Sequence, residues 1–260
     1  MGPQDMQPKS ASSTNKILIN ILTTHSPEQI INKYSNSLQN VDVEIKIQLG
    51  DDSSLRHLKF DNSLARMIYG RPLRKGEMNC SLGHRSMWCY AREVGSRWSV
   101  FLEDDAIITD ALLNLLNSIN SWGENLPFAI IIGHSKTVRK NLWFENIKIP
   151  LYSKKKIKNI VVGKKNQNLF GTVGYLLNQS AVELLSKLPV TCWKADDWKM
   201  FENAGLQIYH LQTPCIWEEF ETRKSATGNI CVAQHEIFSR KILIEVGSAI
   251  KSQIFKKRKC

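Results

Sequence analysis

The spacing of apolar and polar residues predicts a strand, a helix and a second strand at the start of the chain. An apolar run at residues 16–23 and an alternating run at 41–49 predict the two strands. Between them, Ser26 and Pro27 are typical of the first residues of a helix, which we expect to extend to about residue 38. This order and spacing predict a βαβ unit with a parallel pair of strands.

The rest of the chain continues the alternation of strands and helices. We expect strands at residues 100–102, 127–133, 175–177 and 206–211, with short β segments at 142–144 and 158–162. We expect helices at residues 80–94, 109–121, 181–188 and 235–250, and one more that begins near Asp196 and Asp197. Residues 50–54 predict a loop. The pattern therefore predicts an α/β fold whose central sheet is mixed, mostly parallel and flanked by helices.

Three acidic residues, Glu103, Asp104 and Asp105, follow the apolar strand at residues 100–102. The carboxyl ends of strands are where open α/β sheets usually bind ligands. If the strand continues through the triplet, Glu103 and Asp105 share one face and offer oxygen ligands that suit Mg²⁺ or Mn²⁺. A turn that leads into the next helix is the commoner role of such a triplet, so the triplet alone favours a structural interpretation and leaves the metal site as the alternative.

Length and composition indicate one large domain. The chain has 260 residues, 42% of them hydrophobic, which is enough for a sizeable core. No stretch approaches the about 20 apolar residues of a spanning helix, and residues 1–14 are polar, which predicts a disordered leader without a secretory signal. None of the six cysteines forms a C-x-x-C pair, so we expect neither a zinc site nor disulfides, and a cytoplasmic protein.

The net charge of +11 is concentrated in short runs. Lysines cluster at residues 154–158, at 164–165 and in the terminal run at 256–259. Such runs are typical of contact with an anionic membrane surface or a nucleic acid, and also of solvated loops. No zinc-finger, RNP-type or helix-turn-helix pattern accompanies them, so we expect no nucleic-acid partner.

Several motifs occur together in an order that resembles a known enzyme family. Gly76-Glu-Met-Asn-Cys-Ser-Leu-Gly-His84, then Trp88 and Phe101-Leu-Glu-Asp-Asp105, resemble the Gly-Glu-x-x-Cys-x-x-Ser-His and Leu-Glu-Asp-Asp elements of glycosyltransferase family 25, the lipooligosaccharide glycosyltransferases. Residues 171–178 and 195–198 are similar to the second half of that family, so the resemblance spans about residues 16–220. Gly83 stands where the family usually has Ser.

The resemblance implies a GT-A-like single domain at residues 15–250 and a basic tail at 251–260. Residues 15–135 would form the nucleotide-sugar-binding half and 136–250 the acceptor and catalytic half. It implies inverting, metal-assisted transfer of a hexose to a lipooligosaccharide or lipopolysaccharide acceptor in a β linkage, with UDP-galactose expected before UDP-glucose. The implied location is the inner face of the bacterial inner membrane, where the basic segments would contact the anionic surface.

The resemblance also assigns roles to residues of this chain. Asp105 and Glu103 would bind Mn²⁺ or Mg²⁺, and Asp197, with Asp196 second, would be the catalytic base. The residues expected to line the donor site, including those expected to form a wall for the sugar or acceptor, are Thr23, Glu77, Ser81, His84, Glu103, Asp104, Asp105, Gly171, Thr172 and Tyr175.

Two other functions are compatible with carboxylates and basic residues. A nucleotidyltransferase or phosphotransferase would also use a metal and a nucleotide, although residues 20–25 lack a glycine-rich phosphate loop and no Walker-type motif occurs. A non-enzymatic protein that binds through its basic surface would show no metal-dependent nucleotide binding.

Overall fold

A computed structural model describes residues 17–39, 41–123, 125–135, 137, 142–166 and 171–219. The expected leader at 1–14, the helix at 235–250 and the tail at 251–260, with its lysine run, lie outside the described residues. Within those ranges, none of the helices has both the length and the apolar character needed to cross a membrane.

Strands and helices alternate through most of the described chain. The strands are β1 (Ile17–Thr23), β2 (Val43–Leu49), β3 (Trp98–Glu103), β4 (Ala106–Ile108), β5 (Phe128–His134), β6 (Tyr152–Ile157), β7 (Ile160–Lys164), β8 (Thr172–Asn178), β9 (Gln207–Leu211) and β10 (Ile216–Glu218). The helices are α1 (Pro27–Leu38), α2 (Asp52–Leu55), α3 (Asn62–Tyr69), α4 (Lys75–Val94), α5 (Asp110–Ile119), α6 (Leu142–Lys148), α7 (Gln179–Ser186) and α8 (Trp198–Asn203).

Eight of these strands form one mixed sheet in the order β2-β1-β3-β8-β5-β9-β7-β6. The predicted α/β fold with a mixed sheet flanked by helices is confirmed. The expectation of a mostly parallel sheet is wrong, because three of the seven neighbouring pairs among the described strands are parallel and four are antiparallel. Strand β8 lies between β3 and β5, so the sheet interleaves strands from both sides of the division expected at residue 135.

The opening βαβ unit forms as the sequence predicts. Strand β1 pairs in parallel with β2, and α1 connects them. The side chain of Ser26 accepts a hydrogen bond from the Gln29 main-chain nitrogen (3.4 Å), and the Gln29 side chain accepts one from the Ser26 nitrogen (3.2 Å). This reciprocal capping explains why the helix starts at Pro27.

Helix α4 is longer than predicted and begins at Lys75 rather than at residue 80. The Glu77 carboxylate accepts a hydrogen bond from the Arg74 main-chain nitrogen (2.8 Å), which satisfies one of the free donors at the helix start. At Gly83, where the related family usually has Ser, an added Cβ would collide with the side chain of Leu22. Glycine at this position therefore allows α4 to approach β1 closely.

Two short segments differ from the sequence predictions. Residues 50–54, expected as a loop, contain the start of α2, which the Asp51 carboxylate caps by accepting a hydrogen bond from the Ser54 nitrogen (2.9 Å). The β segment expected at residues 142–144 is wrong, because these residues begin α6. Three apolar residues are too few to distinguish a strand from a helical turn by periodicity.

The sheet carries an apolar core on each face. Alternate residues of β1 contribute to opposite sides: Ile19 and Ile21 pack with α1 and α5, whereas Leu18 and Leu22 pack with α4, α7 and α8. Because successive side chains of a strand point to opposite faces, a strand covered on both sides is apolar at nearly every position. This explains the continuous apolar runs of β1, β3 and β5.

Asn178 joins the end of β8 to the start of α7, and its replacement tests how much its buried hydrogen bonds contribute to stability. Its side chain, 5% exposed, accepts from the nitrogens of Phe128 (3.1 Å) and Ala181 (3.0 Å) and donates to the Leu126 oxygen (2.8 Å). We expect Asn178→Ala to lower the free energy of unfolding by about 2 to 4 kcal/mol in urea denaturation, because buried partners lose their hydrogen bonds. Ser26→Ala, an exposed cap, serves as the control and should cost about 1 kcal/mol; equal losses would contradict this account.

Candidate active site

Polar residues converge at one edge of the sheet. Strands β1 and β3 are parallel, with Leu22 opposite Glu103, so both strands end at this edge. Strand β8 runs antiparallel to β3, which places its first residue, Thr172, and the preceding Gly171 at the same edge. The topology therefore brings the ends of three neighbouring strands together, although they are distant in sequence.

Asp104 ties the ends of β1 and β3 together. Its Oδ2 atom accepts a hydrogen bond from the Thr23 hydroxyl (2.7 Å) and another from the Thr24 nitrogen (3.3 Å). The Thr23 side chain also accepts a hydrogen bond from the His25 nitrogen (2.8 Å). Through these contacts, Asp104 and Thr23 support this edge of the sheet.

Helix α1 fixes the main chain of the turn that follows β3. The Lys33 ammonium donates to the main-chain oxygen of Asp104 (2.7 Å) and to the Glu219 carboxylate (2.7 Å). The Tyr34 hydroxyl donates to the main-chain oxygen of Ala106 (2.8 Å) and lies 3.1 Å from that of Asp104. The turn thus has a defined shape before any ligand is bound.

Three carboxylates, those of Glu103, Asp105 and Glu218, lie close together at this turn. Burial, followed by the nearby charges of Glu218 and Asp104, raises the pKa of Asp105 to about 7. Burial and then the charge of Asp105 raise the pKa of Glu103 well above its usual range. Among the described residues, nothing donates a hydrogen bond to the buried Oδ1 atom of Asp105. The nearby charge of Lys33 lowers the pKa of Asp105, but the effects of burial and of the neighbouring carboxylates are larger.

Strand alternation does not bring Glu103 and Asp105 together, as the sequence analysis expected. Strand β3 ends at Glu103, and Asp104 and Asp105 form a turn into β4. The two carboxylates approach each other because the chain reverses its course here, not because they share a face of one strand. The two carboxylates are near enough for the charge of Asp105 to raise the pKa of Glu103.

Glu218 is a site residue that the sequence analysis missed. Strand β10 pairs antiparallel with β4, and Glu218 lies opposite Ala106, beside the acidic turn. The Glu219 nitrogen donates to the main-chain oxygen of Asp105 (2.8 Å), which holds the two segments together. The three-residue strand has no periodic pattern, so its only sequence signal is a pair of glutamates after an apolar segment.

Glu77 and Ser81 of α4 have structural partners. The Arg71 guanidinium donates to both carboxylate oxygens of Glu77 (2.8 and 2.7 Å), and this pairing lowers the pKa of Glu77 to about 2. The fully buried Ser81 hydroxyl lies 2.6 Å from the Trp193 main-chain oxygen and 2.9 Å from that of Glu77. Both side chains hold α4 in position, so their contacts support the structure around the site.

His84 and Tyr175 form a buried polar pair beneath the edge. Nδ1 of His84 lies 2.7 Å from the Tyr175 hydroxyl, which also accepts a hydrogen bond from Nε1 of Trp88 (2.9 Å). His84 is 3% and Tyr175 2% exposed, and burial lowers the pKa of His84 to about 4. Tyr175 is thus too buried here to form the wall expected for a sugar or acceptor.

The segment before β8 contacts Asp196. Gly171 has a positive φ of 82°, which favours glycine, and its nitrogen donates to Oδ2 of Asp196 (2.5 Å). Thr172 accepts a hydrogen bond from Nε1 of Trp198 (2.7 Å) and is 6% exposed. After burial and the charge of Asp105, the charge of Asp196 also raises the pKa of Glu103.

Asp197 occupies a different environment from its neighbour. It is 8% exposed and caps α8, accepting a hydrogen bond from the Met200 nitrogen (3.3 Å). Its Oδ2 atom also accepts one from the Tyr69 hydroxyl (2.9 Å). These contacts are those of a helix cap, whereas Asp196 is partly exposed toward the sheet edge.

The acidic cluster offers oxygen ligands to a cation. Glu103, Asp105 and Glu218 supply only oxygen atoms, the ligands that Mg²⁺ and Mn²⁺ prefer. A bound cation would counter the mutual repulsion that contributes to the raised pKa values of Glu103 and Asp105, and the Oδ1 atom of Asp105 has no hydrogen-bond partner among the described residues.

Comparison with known proteins identifies the family to which the chain belongs. The sequence model of glycosyltransferase family 25, described as an LPS biosynthesis protein, matches residues 15–198. The chain belongs to glycosyltransferase family 25. The resemblance noted from the motifs is thereby confirmed, and with it a glycosyltransferase assignment. None of the curated proteins compared with this family 25 chain matches it.

Among solved structures, the family 25 chain is similar to CMP:2-keto-3-deoxy-manno-octonic acid synthetase complexed with CTP. The two share 11% sequence identity with a TM-score of 0.38, over 75% of this chain and 89% of the other.

The lysines of the family 25 chain at residues 154–158 lie mainly on β6, at the edge of the sheet. Lys154, Lys155 and Lys156 are exposed, and the ammonium groups of Lys155 and Lys164 lie 5.3 and 5.8 Å from the Tyr209 ring centroid. An exposed edge strand rich in lysine resists pairing with other chains.

The raised pKa of Asp105 predicts a pH-dependent stability. An acid whose pKa rises from 3.8 to about 7 on folding stabilises the folded state fully below pH about 4, and this contribution is lost as the pH rises to about 7. We therefore expect the free energy of unfolding of the wild type to fall relative to that of Asp105→Asn as the pH rises from about 4 to about 7. The measurement is urea denaturation of both proteins in the presence of EDTA. Asp110→Asn, which removes an exposed carboxylate, should follow the wild type; parallel curves for all three proteins would contradict this assignment.

Proposed function

We propose that this family 25 chain is an inverting glycosyltransferase that moves a hexose, galactose before glucose, from a UDP-sugar to a hydroxyl of a lipooligosaccharide or lipopolysaccharide acceptor. The product would have a β linkage. The observation that supports this proposal is the cluster of oxygen ligands at the sheet edge, where open α/β sheets bind nucleotides. Family membership supports the reaction class, and the donor, linkage and inversion are our proposals.

Asp105 and Glu103 would hold Mn²⁺ or Mg²⁺, with Glu218 beside them. Bound there, the cation would supply positive charge to the departing nucleoside diphosphate. Asp104 keeps the turn in place through Thr23, and Lys33 and Tyr34 fix its main chain. A site shaped in advance needs little rearrangement when donor binds, which favours catalysis by electrostatic stabilisation.

Asp196 is our first choice for the catalytic base, ahead of Asp197. Inversion needs a carboxylate that removes the proton of the acceptor hydroxyl while its oxygen attacks the anomeric carbon opposite the leaving diphosphate. Burial raises the pKa of Asp196, and the Gly171 nitrogen orients its carboxylate. A raised pKa makes a carboxylate a stronger base, whereas the hydrogen bonds of Asp197 are committed to capping α8 and to Tyr69.

The remaining expected donor residues fall into two groups in this proposal. Gly171 lies at the edge of the sheet, where a nucleotide sugar would pass. Thr23, Ser81, Thr172 and Tyr175 are buried and would shape the site from below, while Glu77 and His84 hold α4 and the buried polar network. We therefore place direct donor contacts on the acidic turn and on the segment around Gly171.

The acceptor suggests a location for the enzyme. A lipooligosaccharide carries phosphates and acidic sugars in a membrane leaflet, and the exposed lysines of β6 would attract that surface without insertion. The lysine run at 256–259, which lies outside the described residues, would add to this attraction. We propose a peripheral position on the cytoplasmic face of the bacterial inner membrane.

A donor screen tests the proposed reaction. The protein is incubated with each common UDP-sugar and Mn²⁺, with and without a lipooligosaccharide acceptor, and released UDP and sugar 1-phosphate are measured separately. We expect UDP from UDP-galactose, dependent on acceptor and abolished by EDTA. Release of sugar 1-phosphate instead would favour a nucleotidyltransferase, because transfer of the nucleotidyl group breaks the bond between the two phosphates. Absence of release together with absence of thermal stabilisation by UDP and Mn²⁺ would favour a non-enzymatic binding protein.

Asp105→Asn tests the cation site. The change keeps the size of the side chain but removes the charge that binds the cation, so we expect it to abolish the thermal stabilisation that UDP with Mn²⁺ gives the wild type. Asp110→Asn, an exposed carboxylate in the first turn of α5, is the matched control and should keep the full shift. Retention of that shift in Asp105→Asn would exclude Asp105 as a ligand.

Asp196→Asn and Asp197→Asn distinguish the two candidate bases. We expect Asp196→Asn to keep UDP and Mn²⁺ binding but to lose about 10²- to 10⁴-fold in the rate of transfer, the usual contribution of a general base. Asp197→Asn should lower the melting temperature, because the amide nitrogen that replaces Oδ2 cannot accept the hydrogen bond of the Tyr69 hydroxyl, and should retain most of the transfer rate at a temperature where it is folded. The reverse pattern would return the base to Asp197.

A further inference from the structure

Glu103 also belongs to a second cluster, which it forms with two residues of α4. One ligand atom each from Cys80, His84 and Glu103 can be chosen so that all three lie within 4.8 Å of one another. Cys80 and His84 are separated by one helical turn, which places both on the same side of α4. Glu103 reaches them from the end of β3.

We propose that Cys80, His84 and Glu103 form a binding site for a zinc-class divalent cation. A thiolate, an imidazole and a carboxylate are the donor set that Zn²⁺ accepts, whereas Mg²⁺ and Mn²⁺ prefer oxygen alone. Three protein ligands leave the fourth tetrahedral position open to water or to a substrate group, as in catalytic zinc sites. The site differs in chemistry from the all-oxygen cluster at Asp105.

The surroundings of His84 resemble the support that metal-binding histidines usually have. Its Nδ1 atom lies 2.7 Å from the Tyr175 hydroxyl, and Trp88 donates to the same oxygen (2.9 Å). Tyr175 in turn stacks on Phe101, with ring centroids 5.0 Å apart. A hydrogen bond to one ring nitrogen fixes the orientation of the imidazole and leaves the other nitrogen for a metal.

The charge balance also favours a cation at this position. In the ranges that the structure describes, no Lys or Arg side chain forms an ion pair with Glu103. Zinc would bind the Glu103 carboxylate and the Cys80 thiolate and release the thiol proton to solvent. The sequence analysis expected no zinc site because no C-x-x-C pair is present; here the third ligand comes from a neighbouring strand.

The shared ligand has a functional consequence, which rests on the proposed function. Because Glu103 is also a proposed ligand of Mn²⁺ or Mg²⁺, zinc at the Cys80 cluster would withdraw it from the all-oxygen site. Zinc is therefore expected to inhibit the proposed transfer reaction.

Cobalt provides a direct probe of this site. The full chain is treated with EDTA, dialysed and titrated with Co²⁺ alone, and the near-ultraviolet absorption from thiolate-to-cobalt charge transfer is recorded. We expect the wild type to show this absorption, Zn²⁺ to remove it by competition, and Cys80→Ser to lack it. Cys89→Ser, on the same helix, and the double variant Cys231→Ser/Cys260→Ser are the matched controls and should keep it.

Two further measurements do not depend on the folding of Cys80→Ser. Zinc-edge X-ray absorption of the wild type loaded with one equivalent of Zn²⁺ should show one sulfur ligand at about 2.3 Å. Tyr175→Phe should weaken Zn²⁺ binding by about 10- to 100-fold, the usual effect of removing the partner of a metal-binding histidine. A zinc shell of only nitrogen and oxygen, or charge-transfer absorption that persists in Cys80→Ser, would overturn the proposal. None of these readouts requires transferase activity, so failure of the transfer assay leaves them unaffected.

Discussion

The hydrogen bond between the Thr23 hydroxyl and the Asp104 carboxylate joins the ends of β1 and β3, and the shape of the sheet edge depends on it. With Asp104 turned toward β1, the chain reverses after Glu103 and enters β4. The position of Asp105 follows from that reversal, and the pairing of β4 with β10 then brings in Glu218. This contact acts together with those of Lys33 and Tyr34 to set where the other carboxylates of the cluster lie.

The folded chain holds the carboxylates of this cluster close together although their charges repel one another. Glu103, Asp105 and Glu218 repel one another in a partly buried place, and no described residue donates to Oδ1 of Asp105. The apolar cores on both faces of the sheet must hold the chain together against this repulsion. In the proposed function, a cation bound at this place would relieve the repulsion among the carboxylates.

The sequence predicted the parts of the fold that depend on local patterns. The capping residues of α1 and the apolar runs of β1, β3 and β5 are visible without any partner, and so is the acidic triplet. Glu218 was not found, because its role depends on a pairing with β4 that only the folded chain creates. The different environments of Asp196 and Asp197 were also not predictable, since they depend on Gly171 and Tyr69, both distant in sequence.

The position of β8 between β3 and β5 has a consequence for how the chain reaches its final form. A nascent chain that ends before Thr172 already contains β3 and β5, but each lacks its shared neighbour. Strand β5 also lacks β9, so three apolar strand edges are then open in what will become the middle of the sheet, and open edges pair readily with other chains. The N-terminal half is therefore not a detachable unit. Dissection of this protein at the middle of the chain would yield a fragment that aggregates.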